Sequence, residues 1–312
     1  MQSALKAFCF ACFVNYVRSI CNDESPFPKI LCNNFPNPPD IAVCIYGTSR
    51  TFAKYLVYRS LRDNVLRSFG TTVTLFADLT IEDARYDHRA AGFANTSSDE
   101  VHEALKWLQV PREQFNIHER LERNVKRATC PNYKPATSGQ FESFLHQVHS
   151  RYACHNLITD YETKRNKNFT WVLFARPDLV WVKPVLPWCT MENQVRSTGV
   201  RNDIISYLLN REDAFEFGNG LLRYQECTAP FLDEDIMEGW MGRYRAVETN
   251  HFRDATKVDH LPSIITRSAQ WYKGSNYPVG SYDCGWLSLP MNGTACRQML
   301  ELNLNSCNLH EP

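Results

Sequence analysis

The stretch Phe169 to Pro184, FTWVLFARPDLVWVKP, constrains this chain more than any other. Seven mostly apolar residues, Phe169 to Ala175, run into Arg176-Pro177-Asp178, and a second apolar run, Leu179 to Val182, follows at once. A short run rich in β-branched and aromatic residues, preceded by the polar spacer Lys164 to Asn168, predicts a strand buried on both faces. In open α/β sheets ligands bind just beyond the carboxyl ends of the strands, so Arg176 and Asp178 stand where a site is expected. The alternative is a structural ion pair that closes the strand end.

The pattern upstream supports the same sheet. Ile41 to Tyr46 (IAVCIY) is an apolar run ending in Gly47-Thr48-Ser49-Arg50. An amphipathic stretch follows, with Phe52, Tyr55, Leu56, Leu61, Val65, Leu66 and Phe69 on one face and Gly70 as its stop. Thr72 to Ala77 (TVTLFA) predicts the next strand, ended by Asp78. Strand, glycine turn, helix, strand is a βαβ unit, which implies a parallel sheet. Thr80 to Thr96 reads as an irregular excursion. Ser97 with Glu100, and Thr137 with Gln140, are capping boxes for two further helices. The second helix presents Phe141, Phe144, Leu145, Val148 and Tyr152 at helical spacing and leads into the strand of the RPD segment. Phe115 to His118 predicts a short strand, Asp203 to Leu209 a strand or short helix, and Asp213 to Leu222 (DAFEFGNGLL) a strand entering a glycine turn. A helix is expected over Asp233 to Arg245.

The 312 residues suffice for one large α/β domain. Lys plus Arg equals Asp plus Glu at 34 each, so no whole-chain field favours nucleic acid or an anionic membrane. Ala7 to Val14 (AFCFACFV), after Lys6, is too short to span a bilayer and fits the core of a secretory signal. Residues 1–21 are therefore expected to be a signal peptide or short anchor, and 22–40 a Pro/Asn-rich stem. Residues 41–312 then form a single domain whose tail, from about Gly274, is disulfide-tied. Of twelve cysteines, nine lie beyond the leader without a CxxC pair, which argues for disulfides over zinc. The sequons at Asn95, Asn168 and Asn292 agree with the secretory pathway, lumenal or secreted.

Neither a dinucleotide GxGxxG nor a Walker loop is present. A glycine turn before a helix still offers backbone N–H groups to a phosphate, and Arg50 adds a bidentate contact. Asp178 has the chemistry of a ligand for Mg²⁺ or Mn²⁺ on a diphosphate, which needs only one or two carboxylates. Arg176 beside it pairs with phosphate or neutralises Asp178. A second carboxylate, or a general base, is sought in Asp213 and in Asp235 of the acidic run Asp233-Glu234-Asp235. That run also reads as a solvated helix start.

CIYGTSRTF (Cys44 to Phe52) and FTWVLFARPDLVW (Phe169 to Trp181) resemble the glycine-turn opening and the RPDL segment of glycosyltransferase-like proteins of type A fold. DAFEFGNG (Asp213 to Gly220) is similar to the strand that follows in them. The resemblance implies a nucleotide-diphospho-sugar transferase-like α/β domain. In it Gly47 and Arg50 face the nucleotide, Asp78 the nucleoside, and Asp178 the metal or diphosphate. The chain departs from the pattern at Arg176, which stands where a DxD motif has its first Asp. The resulting expectation is a glycosyltransferase that moves a sugar from a nucleotide-sugar donor to a carbohydrate or glycoprotein acceptor. The alternative is a non-catalytic carbohydrate-binding or interaction protein on the same fold.

Overall fold

Ile41–Thr48 forms β1, and seven of its eight residues are buried, as expected for a strand with partners on both edges and helices on both faces. The computed structural model of the chain describes residues 37–49, 51–81, 96–119, 125–137, 141–181, 184–185, 187–190, 196–198, 206–229, 234 and 263–265. β1 pairs in parallel with β2 (Val73–Ile81) on one side and with β4 (Trp171–Ala175) on the other. β3 (Phe115–Glu119) extends the parallel run beyond β2. β7 (Ser206–Asn210) joins β4 antiparallel, and β6 (Arg196–Thr198) pairs antiparallel with β7. The order is β3-β2-β1-β4-β7-β6, a mainly parallel sheet in an α/β fold.

Two-residue alternation sends Ile41, Val43 and Ile45 to one face and Ala42, Cys44 and Tyr46 to the other. The first face is covered by α1 (Tyr55–Leu61), which continues as a π-helical turn over Arg62–Leu66, and by α2 (Ser98–Trp107). Gly70, at φ 71°, follows that turn in the left-handed conformation that ends helices. Ser97 and Glu100 make the expected reciprocal capping box at the start of α2. The second face is covered by α3 (Phe141–Arg165) and α4 (Arg211–Gly218), followed by α5 (Gly220–Gln225). The cystine Cys44–Cys154 ties β1 to α3 inside this layer, and Cys130–Cys227 ties the segment before α3 to the end of α5. Cys189 is also disulfide-bonded.

Three expectations change. Asp78 lies inside β2, because a hydrogen-bond partner on β3 satisfies its carboxylate and the strand continues to Ile81. Asp213 to Leu222 is helical: Asn210 accepts from the Asp213 N–H, and Glu212 and Asp213 sit in the first turn of α4, where the helix dipole favours acids. The apolar run after Asp178 leaves the main sheet as β5 (Leu179–Trp181) and pairs with β8 (Ser263–Ile265). The leader, most of the stem, Gln140 of the second capping box, the helix expected over Asp233 to Arg245 (apart from Glu234) and the cysteine-bearing tail lie outside the described residues.

Candidate functional site at the carboxyl edge

The chain moves outward from β1 to β2 and β3 and then returns to the other side of β1 as β4. The order therefore reverses between β1 and β4, and in sheets of this kind the crevice at the carboxyl ends of such a pair is where ligands bind. Gly47 and the Arg176-Pro177-Asp178 segment flank that reversal, since Ile45 pairs with Ala175. Gly47 has φ 115°, a conformation that L side chains rarely adopt. A Cβ there would stand 3.8 Å from Pro177 Cδ, an ordinary contact, so backbone conformation and not lack of room demands glycine. The turn is tied to β2 by Ser49 N–H donating to the Thr80 carbonyl at 2.9 Å. Ser49 Oγ is buried with no hydrogen-bond partner among the described residues.

Past the end of β4, Arg176 grips Asp178 through two bonds, Nε to Oδ1 at 2.9 Å and Nη2 to Oδ2 at 2.6 Å. Asp178 is 1% exposed, and the Arg176 side chain is 14% exposed. The position of Asp178 is set from below by β5. Ser60 Oγ accepts from the Trp181 N–H at 3.0 Å, and Asn64 Nδ2 donates to the Trp181 carbonyl at 2.5 Å. A divalent cation on Asp178 does not fit this arrangement: both carboxylate oxygens are engaged by a guanidinium whose charge would repel the ion.

Tyr46 pairs in register with Asp78, so Asp78, Tyr46 and Arg176 fall at one level on three adjacent strand lines. Asp78 is fully buried and bonded to His118 Nε2 on β3 at 3.1 Å. Beneath this level Arg151 of α3 is fully buried and hydrogen-bonds Tyr46, with its guanidinium 3.7 Å above the Phe217 ring. Burial pulls its pKa down to about 10, against the opposing pull of Tyr46 and Tyr207. Burial likewise raises the Tyr46 phenol, while Arg151 and Arg176 oppose the rise. One turn along α3, His155 is buried with neither ring nitrogen hydrogen-bonded among the described residues, and burial, then Arg211 and Arg151, lower its pKa to about 4.

The structure thus brings Gly47, Asp78, Arg176 and Asp178 to one edge. It sends Asp213 to the other: Asn210, just before it, pairs with Trp171 at the amino end of β4. β4 itself, about 13 Å long at ~3.3 Å per residue, separates Asp213 from Arg176. Asp213 is exchanged with Asn210 as a helix cap and is no base for this site. Arg50 and Asp235 lie outside the described residues. Glu234, between the two candidate aspartates of the acidic run, is buried. It accepts from Tyr224 Oη at 2.6 Å and from the Ala136 N–H at 2.8 Å, and pairs with Arg127 at 3.6 Å. Sequence reasoning passed over His118, Arg151 and His155. The signal for the last two was present, because they sit four apart on the face of α3 that carries Val148, Cys154 and Ile158.

A groove of about 430 Å³ lined by His102, Lys106, Val110, Arg112 and Phe115 opens at the amino end of β3, on the opposite edge from this crevice.

Strand order and register define an α/β domain whose order reverses between β1 and β4. No protein-family model matches the chain, and no curated protein is similar to it. Among solved structures, a nucleoside-diphosphate-sugar pyrophosphorylase from Vibrio cholerae aligns with 64% of this chain and 88% of its own, at 13% identity and a TM-score of 0.29. A score that low fixes neither fold nor function, so the fold assignment stands on strand order and register.

Proposed function

We propose that this chain is a glycosyltransferase that takes a nucleotide-sugar donor at the crevice between β1 and β4 and passes the sugar to a carbohydrate or glycoprotein acceptor in the secretory pathway. One observation carries the reading: Gly47, at positive φ near the end of β1, lies against Pro177 across the strand reversal, which puts the end of β1 and Arg176 side by side on one carboxyl edge. The resemblance of the same two segments to glycosyltransferase-like proteins supports it. Transfer breaks the bond between the anomeric carbon and the diphosphate oxygen, whose electron pair leaves with the diphosphate, while the acceptor oxygen bonds to that carbon and gives up its proton to solvent water. Arg176 stabilises the charge that grows on the leaving oxygens. Asp178, locked to Arg176, holds the guanidinium in a fixed plane. Lumenal localisation draws support from the cystines and from the exposed acceptor Asn168.

The test is calorimetric titration with nucleoside diphosphates, and transfer across a nucleotide-sugar panel, for the wild type and for Arg176→Lys, which keeps the charge and loses the fork. The proposal expects binding that weakens in the variant. Unchanged binding would remove Arg176 from the site. The second reading, a carbohydrate-binding protein without catalysis, is favoured by one observation: Asp178 is fully engaged by Arg176. It predicts sugar binding with no nucleotide binding.

A further inference from the structure

Asp78 is the residue expected to face the nucleoside, yet it is 0% exposed and is covered by His118, whose side chain is 31% exposed. His118 pairs in register with Thr80, two residues beyond Asp78 toward the carboxyl edge, so the imidazole sits over the buried carboxylate and nearer the rim. A carboxylate only accepts, so with a neutral imidazole Nε2 carries the hydrogen and donates it to Asp78 Oδ2. Nδ1 then holds a lone pair and hydrogen-bonds no described residue. The dyad fixes a proton acceptor, with set orientation and polarity, on the β3 side of the same rim that presents Arg176 on the β4 side.

From this geometry we propose that His118 is the residue that selects the nucleoside half of the donor, accepting through Nδ1 a hydrogen bond from a ribose hydroxyl or a ring N–H. Asp78 is the positioning residue behind it that fixes the tautomer. This inference rests on the nucleotide-sugar reading above and assigns its polar contacts residue by residue. β3 and β4 are three strand spacings apart, about 14 Å. An extended nucleoside diphosphate has the same polarity along its length: anionic oxygens at one end, for Arg176, and neutral hydrogen-bond donors at the other, for Nδ1. A buried acid that bonded the ligand directly would have to be uncovered first. A half-exposed imidazole held by that acid does not.

The experiment titrates uridine diphosphate, guanosine diphosphate and inorganic pyrophosphate into wild type, His118→Ala, His118→Asn and Asp78→Asn. His118→Ala is expected to weaken the nucleoside diphosphates about tenfold, the size of one well-placed hydrogen bond, and to leave pyrophosphate unchanged. His118→Asn, which keeps an acceptor oxygen near the Nδ1 position, restores part of the loss. Asp78→Asn places an amide donor against Nε2, so ¹⁵N spectra of the His118 ring should show the hydrogen moved from Nε2 to Nδ1, with nucleoside diphosphate binding weakened as in His118→Ala. Unchanged nucleoside diphosphate binding in His118→Ala, or an equal loss of pyrophosphate, overturns this assignment alone. A wild-type protein that binds none of the three ligands overturns the transferase reading and this assignment with it. The unchanged pyrophosphate binding expected of His118→Ala also reports that the variant is folded.

Discussion

Arg176 and Asp178, two residues apart, face each other as a planar fork on a planar carboxylate, with both bonds at 2.9 Å or less and the acid almost wholly buried. The pair closes the end of β4 and turns the chain into β5. It is thus a structural ion pair and a wall of the crevice at once, and the sequence alternatives of site and strand cap describe one object. Breaking it from the arginine side leaves a buried carboxylate without its guanidinium. Arg176→Ala should therefore destabilise the fold by about 3 kcal/mol, and by more than Asp178→Asn, which leaves behind a partly exposed cation. Urea denaturation of the two variants checks the order.

His155 predicts an acid sensitivity. Its folded pKa, about 4, lies below the ordinary histidine value of about 6.5. Between those two values the unfolded chain binds the additional proton, so the stabilisation is complete above pH 6.5 and is lost as pH falls toward 4. The loss approaches about 3 kcal/mol. Denaturation midpoints at pH 7.5 and pH 4.5 should differ less in His155→Phe than in the wild type, because the variant has no proton to bind there.

Gly218 touches the same ring. A Cβ at Gly218 would stand 2.4 Å from His155 Cγ and 2.8 Å from its Cβ, the stiff root of the side chain. Gly218→Ala should cost about 2 kcal/mol from overpacking. The loss should shrink when combined with His155→Ala, and a double-mutant cycle measures that coupling.

The two cystines whose halves both lie among the described residues differ in access. Cys44 and Cys154 are both fully buried, whereas Cys227 is exposed beside the mostly buried Cys130. Mild reductant under native conditions should open Cys130–Cys227 before Cys44–Cys154, read by alkylation and peptide mass mapping. Replacing that pair with serines should cost about 2–5 kcal/mol.

Asn168 sits on the exposed link between α3 and β4 with its sequon intact. Expressed through a secretory host, the protein should lose the mass of one glycan on Asn168→Gln. A mass unchanged by the substitution counts against the lumenal assignment.

The chain by itself determined the sheet and its polar ends. Mostly apolar runs at Ile41 to Tyr46, Thr72 to Ala77 and Phe169 to Ala175 predict strands, and the RPD punctuation marks where β4 stops, whereas β1 continues through Gly47 to Thr48. Periodicity reports burial along one element and is blind to what lies across from it. The tertiary structure therefore decided that Asp78 is inside a strand, because its partner is His118, forty residues away. It decided that Asp213 caps a helix on the far edge, because the cap residue Asn210 pairs with the start of β4. It also decided that Arg151 and His155 are buried, since only the approach of β1, β4 and α4 to one side of α3 removes them from water. Register between strands distant in sequence is a property of the packed sheet, and register is what brings Gly47, Asp78 and Arg176 to one rim.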